Sequence, residues 1–218
     1  MSRRVPVVGR LPYDDIRPHL DDFDLLLWHG TTLASRFIQF GTGSWCSHVS
    51  LVMREPASGM VLNFESTTES KTPDWFTRRP RSGSQVNALS ERLSRYPGRV
   101  YVRRFAGSRT EEQRARLREL RRQSSGLAYE RKWLEWLGAG TVLISNHEDR
   151  EYLFCSELVA WVLGECGIIT RTRSSNEYAP KHFTTDCSPS RGGINTYLYL
   201  SEKELLWSPR LRNGSVPC

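Results

Sequence analysis

The chain has 218 residues, 38% of them apolar and 25% charged. These are the proportions of a soluble globular protein; they exclude wholesale disorder and leave too little chain for two full domains. Thirty-one basic against twenty-four acidic residues give a net charge of +7, which suits anionic partners and says nothing of fold. No stretch approaches the roughly 20 apolar residues of a spanning helix. The opening Ser2-Arg3-Arg4, followed only by Val5–Val8 before Gly9 and Arg10, lacks the apolar core of a signal peptide, so a cytoplasmic protein is expected.

In chain order, residues 1–20 are rich in Pro, Arg and Asp and read as an arm. Phe23-Asp24-Leu25-Leu26-Leu27-Trp28 is a short apolar run bounded by His29-Gly30, the pattern of a buried strand. Thr31 or Thr32 then caps a short helix over Leu33–Phe40, ended by Gly41 and Gly43. Two strands follow, Ser47–Arg54 and Gly59–Ser66, joined by Glu55-Pro56-Ala57-Ser58, with a further strand over Arg99–Phe105. Thr110-Glu111-Glu112-Gln113 is a capping box, and it opens a helix with a thin apolar stripe (Ala115, Leu117, Leu120), expected to be peripheral. Tyr129–Leu143 and Glu151–Cys166 read as two further helices, Ile194–Leu200 as a strand, and residues 206–218 as a tail. The expected domain is therefore residues 21–205, with a helical insertion at about 108–148. The arginine clusters Arg78-Arg79-Pro80-Arg81 and Arg114–Arg122 lack interleaved aromatics and any recognisable binding motif. They read as solvated faces, open to an anionic partner but not to nucleic acid.

Five cysteines, Cys46, Cys155, Cys166, Cys187 and Cys218, form no CxxC pair and no disulfide framework, which favours free thiols. Cys46, His48, Cys155 and Cys166 contain no pair at the usual two-to-four-residue ligand spacing, so neither a metal nor another cofactor is expected.

The hairpin supplies the first chemical candidates. A four-residue loop at 55–58 predicts that His48 faces Glu65, Ser50 faces Asn63 and Val52 faces Val61, with Val49, Leu51, Met53, Met60, Leu62 and Phe64 on the apolar face. An imidazole across from a carboxylate is held in one tautomer and made more basic, or it is simply a cross-strand polar pair on a solvated face. Cys155 is the second candidate. With Leu158, Val159, Val162 and Cys166 it makes a helical stripe, in the first turn of its helix, where unpaired N–H groups and the helix dipole favour thiolate and oxyanion. The alternative there is a small buried hydrophobe. His29, after the first strand, is placed to line a cleft. His19, His147 and His182 have no partner legible in the sequence.

Leu25-Leu26-Leu27-Trp28-His29-Gly30, Gly43-Ser44-Trp45-Cys46-Ser47-His48-Val49, Phe64-Glu65-Ser66-Thr67 and Leu153-Phe154-Cys155-Ser156-Glu157-Leu158-Val159 together resemble the circularly permuted branch of the NlpC-like, papain-fold superfamily, and its YiiX-like proteins in particular. Ser175–Phe183 is similar to that group's segment after the cysteine helix, and Ser50 stands where the family often has glycine. The order His48, Glu65, Cys155 is that of the permuted branch. The resemblance implies an α+β fold with an antiparallel sheet packed on a cysteine-bearing helix. It also implies a hydrolase in which Cys155 attacks an acyl carbonyl, His48 carries the proton and Glu65 orients His48. Ser47, Ser50 and Ser156 join His29 as residues expected around the substrate. Permuted relatives divide between amide or isopeptide bonds and lipid acyl chains; Phe-Cys-Ser-Glu and the acid at Glu65 favour the amide. A lipid acyltransferase or thioesterase, and a binding module with an unused thiol, stay open.

Overall fold

The computed structural model describes residues 10–68, 71–105, 107–125, 147–171, 174–184 and 204–207. One sheet organises them, in the order β1-β7-β6-β2-β3-β4-β5. Its strands are β1 (Arg10–Pro12), β2 (Leu25–His29), β3 (His48–Arg54), β4 (Val61–Thr67), β5 (Gly83–Ala88), β6 (Arg99–Arg103) and β7 (Glu204–Trp207). Every neighbouring pair is antiparallel except β1 with β7. The helices are α1 (Tyr13–Ile16), α2 (Leu33–Thr42), α3 (Leu89–Arg95), α4 (Glu111–Ser124) and α5 (His147–Glu165). The α+β class expected from the sequence is therefore the class adopted.

Alternation along the strands gives the sheet two apolar faces. Leu25, Leu27, Val49, Leu51, Met53, Leu62 and Phe64 point to one side, where Leu117 and Leu120 of α4 and Leu158, Val159, Val162 and Leu163 of α5 cover them. Burying each such side chain contributes roughly 1.5–3 kcal/mol. Leu26, Trp28, Val52, Val61, Val100 and Val102 point to the other side, under Tyr13, Ile16 and Leu20 together with Leu89, Leu93 and Tyr96. Residues 13–20, expected within an arm, are thus packed from Tyr13 onward.

The hairpin register departs from expectation by two residues. Leu51 pairs with Phe64, Val52 with Asn63 and Arg54 with Val61. The connection is six residues long, with Gly59 at φ +67° and its N–H bonded to the Glu55 carbonyl. The Glu55 carboxylate accepts from the Ser58 N–H at 2.6 Å, which tightens that wider turn. A slip of two preserves side-chain parity, so each residue keeps its face. The face carrying His48 is not solvated: Ser50, Asn63 and Glu65 are fully buried.

Two capping expectations are met in detail. Thr32 accepts from the Ser35 N–H and Gly43 closes α2 at φ +61°, while Thr110 and Gln113 make the reciprocal capping box of α4. Arg114, in the second arginine cluster, is ion-paired to Asp21 and Asp22 and ties α4 to the entrance of β2. Strand β5 and helix α3 carry no expectation from the sequence. The helix expected over 129–143, the strand over 194–200, and Cys187 and Cys218 lie outside the described residues.

Candidate active site

The site is built at the end of β3 nearest α2. His48 opens β3, and β4 brings Glu65 to the same face as Ser50 and Asn63. In the observed register Glu65 lies diagonally from His48 rather than opposite it, within reach of a long side chain. The His48 Nε2–Glu65 Oε2 distance is 2.7 Å. The other carboxylate oxygen accepts from Arg92 Nε, also at 2.7 Å. Arg92 comes from α3, its guanidinium lying over the Trp28 ring at 4.8 Å and the Tyr96 ring at 5.4 Å. With Nε2 engaged by Glu65, Nδ1 is left to meet the Cys155 thiol, which hydrogen-bonds the imidazole from α5. Arg92, Glu65, His48 and Cys155 therefore form one continuous row.

Electrostatics follow from that row. Burial disfavours ionised Glu65, but the Arg92 guanidinium and the His48 imidazole outweigh it and bring the carboxyl down to about 2. Burial likewise opposes a charged His48; the charge and hydrogen bond of Cys155, then Glu65, overcome it and push the imidazole up to about 10. The arrangement favours an imidazolium between the Glu65 carboxylate and the Cys155 sulfur. By contrast, burial pushes the Cys166 thiol up to about 12, Arg116 opposing it only in part. Desolvation, the largest influence, thus disfavours the thiolate at the far end of the same helix.

Helix α5 begins at His147, about two turns before Cys155. Cys155 is not in a first turn, as the sequence reading expects. The reason is that Glu151–Phe154 continue a helix already begun upstream. Its backbone N–H belongs to the helical ladder, and support for a thiolate falls to His48 rather than to a helix terminus.

A cavity of about 260 Å³ opens beside the row, lined by Gly30, Thr32, Ser47, His48, Arg92 and Tyr96 among others. His48 is 15% exposed, whereas Glu65 is fully buried and Cys155 is 1% exposed. Of the four residues expected around the substrate, Ser47 lines this cavity and His29, Ser50 and Ser156 do not. Ser47 accepts from the Gly30 N–H, donates to the Trp28 carbonyl and bonds the Tyr96 hydroxyl. Ser50 accepts from Trp28 Nε1 at 2.8 Å and donates to Asn63 Oδ1 at 2.6 Å, beneath the row. Ser156 donates to the Tyr178 carbonyl and fastens the segment after α5. His29 Nδ1 lies 2.7 Å from the Trp45 carbonyl and 3.1 Å from the Gln39 side-chain amide, which also donates to the Gly30 carbonyl. Cys46 donates to the His48 carbonyl on the strand approach. His182 Nδ1 accepts from the Ala179 N–H.

Sequence reasoning passes over Arg92. It belongs to a seven-residue helix, Leu89-Ser90-Glu91-Arg92-Leu93-Ser94-Arg95, too short to announce itself by periodicity, among many arginines. Among the described residues, no group of three or more His, Cys, Asp or Glu is placed to hold a metal ion. No described helix is long and apolar enough to cross a membrane.

No family model matches the chain, and no curated protein matches it. Among solved structures, the chain is similar to the crystal structure of metalloprotein yiiX from Escherichia coli O157:H7. The identity is 17% and the TM-score 0.48, over 90% of this chain and 93% of that one. A likeness at that level assigns neither family nor activity.

Proposed function

We propose that the chain is a cysteine hydrolase of the permuted papain type, cleaving an amide or isopeptide bond through an acyl-enzyme. What supports the reading is the buried carboxylate of Glu65, held by Arg92 on one oxygen and meeting His48 on the other, with the Cys155 thiol against the same imidazole. A histidine held by a carboxylate on one ring nitrogen can store a proton beside a sulfur nucleophile.

In this reading the Cys155 sulfur attacks the acyl carbonyl and the carbonyl π pair moves to oxygen. Collapse of the tetrahedral adduct breaks the C–N bond as the amine takes the proton from His48. Water then attacks the thioester, giving its proton to His48, and the carboxylic acid leaves as Cys155 is restored. Glu65 keeps the imidazole oriented and favours its charged form, and Arg92 is a positioning residue that keeps Glu65 ionised.

The test is alkylation of the folded protein with iodoacetamide, locating each adduct by mass spectrometry, on the unaltered chain and on His48→Ala. Cys46, Cys155 and Cys166 are all buried, so accessibility favours none of them. The expected result is that Cys155 reacts faster than the other two and slows in His48→Ala. Equal rates at the three cysteines, or a Cys155 rate untouched by loss of His48, would overturn the thiol–imidazole reading.

A further inference from the structure

Helix α2 is seated the wrong way round for a helix facing only water. At 100° per residue, Ser35, Ile38, Gln39 and Thr42 fall on the half-buried side, where the Gln39 side chain donates to the Gly30 carbonyl at 3.0 Å. Leu33, Phe37 and Phe40 share the opposite side and are 74%, 66% and 89% exposed. A surface helix of a globular domain ordinarily turns its apolar stripe inward. Three large apolar side chains grouped on one outward stripe mark an interaction surface.

The charge around this stripe says what fits it. Helix α2 contains no Asp or Glu, and its one charged residue, Arg36, flanks the stripe. Behind the helix, the cavity that Thr32, Ala34, Ser35 and Ile38 help to line carries Lys71, together with Arg92 and Arg95, which are already paired with Glu65 and Glu91. A two-fold contact between copies would set two Arg36 side chains near one another with no acid on either helix to answer them. We propose that α2 docks the protein on an anionic lipid bilayer. Leu33, Phe37 and Phe40 enter the headgroup–acyl boundary, and Arg36 stays with the acidic headgroups. The docked helix would bring the mouth of the His48 cavity to the headgroup layer. The surface stands on exposure and charge, and does not depend on Cys155 being a nucleophile.

The experiment is co-sedimentation of the full chain with phosphatidylcholine vesicles, with and without phosphatidylserine. It compares the unaltered protein with Phe37→Ser, Phe40→Ser, Arg36→Glu and Cys155→Ala, each checked by analytical ultracentrifugation without lipid. The expected result is binding to the phosphatidylserine vesicles that falls roughly tenfold for each phenylalanine removed, weakens in Arg36→Glu, weakens with salt, and is unchanged in Cys155→Ala. Failure of the unaltered chain to bind, or binding by both phenylalanine variants as strong as that of the unaltered protein, would overturn the proposal. So would a self-associating protein that becomes monomeric in the phenylalanine variants without having bound vesicles, since the stripe would then be an interface between copies. Because the Cys155→Ala protein is required to bind, failure of the hydrolase reading and failure of this one are separable.

Discussion

Replacing Glu65 by Gln removes one charge from the middle of a buried row and leaves the shape nearly unchanged, so its consequences can be worked with sign. The Glu65 carboxyl falls from its ordinary 4.5 to about 2 in the folded protein. A group depressed on folding contributes stability above its unfolded value and loses it as the pH falls toward the folded one. The difference corresponds to on the order of 3 kcal/mol at neutral pH, of which about 2 kcal/mol is lost by pH 3. Glu65→Gln has no such term, and it also leaves the Arg92 guanidinium without its carboxylate, a change that in buried pairs costs roughly 3–5 kcal/mol. The expected outcome is a large stability gap between the two proteins at pH 6.5 that narrows by about 2 kcal/mol at pH 3. Urea unfolding followed by tryptophan fluorescence at each pH measures it, because Asp21, Asp22, Asp24 and the other carboxylates are common to both proteins and cancel in the difference. A gap that stays constant from pH 6.5 to 3 would refute the reasoning, since Glu65 would then not be held ionised by its neighbours.

Other consequences follow from the same contacts. His48 is raised to about 10 with Cys155 the largest favourable influence. NMR titration should therefore find its imidazole charged at pH 8, and find its midpoint lowered in Cys155→Ala. Below the ordinary value near 6.5 the stabilisation from this group is complete, and it disappears as the pH rises through about 10. Ser50→Ala removes the acceptor of Trp28 Nε1 and the donor to Asn63 Oδ1, leaving two buried polar groups unanswered. Urea unfolding should show a loss of about 2–4 kcal/mol, while the relative alkylation rate of Cys155 stays as it was.

The strands β2, β3 and β4 and the caps of α2 and α4 were legible because each rests on local rules: an alternating or continuous apolar run, a Thr ahead of a helix, a glycine after it. The hairpin register was not, because Pro56 and Gly59 permit either a four- or a six-residue turn, and the hydrogen bonds of Glu55 decide between them only in the folded chain. The His48–Glu65 association survives that slip for two reasons. A shift of two residues preserves parity, and a glutamate side chain is long enough for the diagonal. Strand β5, Gly83-Ser84-Gln85-Val86-Asn87-Ala88, is illegible because its inward residues on one face, Gln85 and Asn87, are polar and buried. Asn87 Nδ2 donates to the carbonyls of Thr72 and Pro73. The start of α5 is not legible because a cysteine followed by Ser and Glu looks like a first turn, whereas the helix enters from His147. The exposed stripe on α2 was read only as a short helix, since periodicity gives the phase of an apolar face and not the side on which the protein lies.

The row of buried charges can be tested for purpose as well as for presence. An isolated buried pair gains too little from its attraction to offset desolvation, and a well-packed apolar replacement of both partners is often neutral or stabilising by about 1–4 kcal/mol. If Arg92 and Glu65 were kept for a net gain in stability, a double replacement by Met and Leu would remain well below the unaltered protein. If they are kept for the state of His48, the cycle separates the two properties. Arg92→Met and Glu65→Leu should each lose roughly 3–5 kcal/mol, because each strands a partner that is itself buried. The double variant should recover most of that loss, a coupling on the order of several kcal/mol, with the Trp28 and Tyr96 rings receiving the methionine where the guanidinium lay. The His48 titration midpoint, read by NMR in the same double variant, should stay below that of the unaltered protein however much stability returns, Cys155 alone now raising it. A double variant that regains both stability and the elevated midpoint would show Glu65 to be irrelevant to the imidazole. One that regains neither would make the pair a structural keystone. Recovery of stability without recovery of the midpoint is what a buried carboxylate maintained for the chemistry of His48 requires.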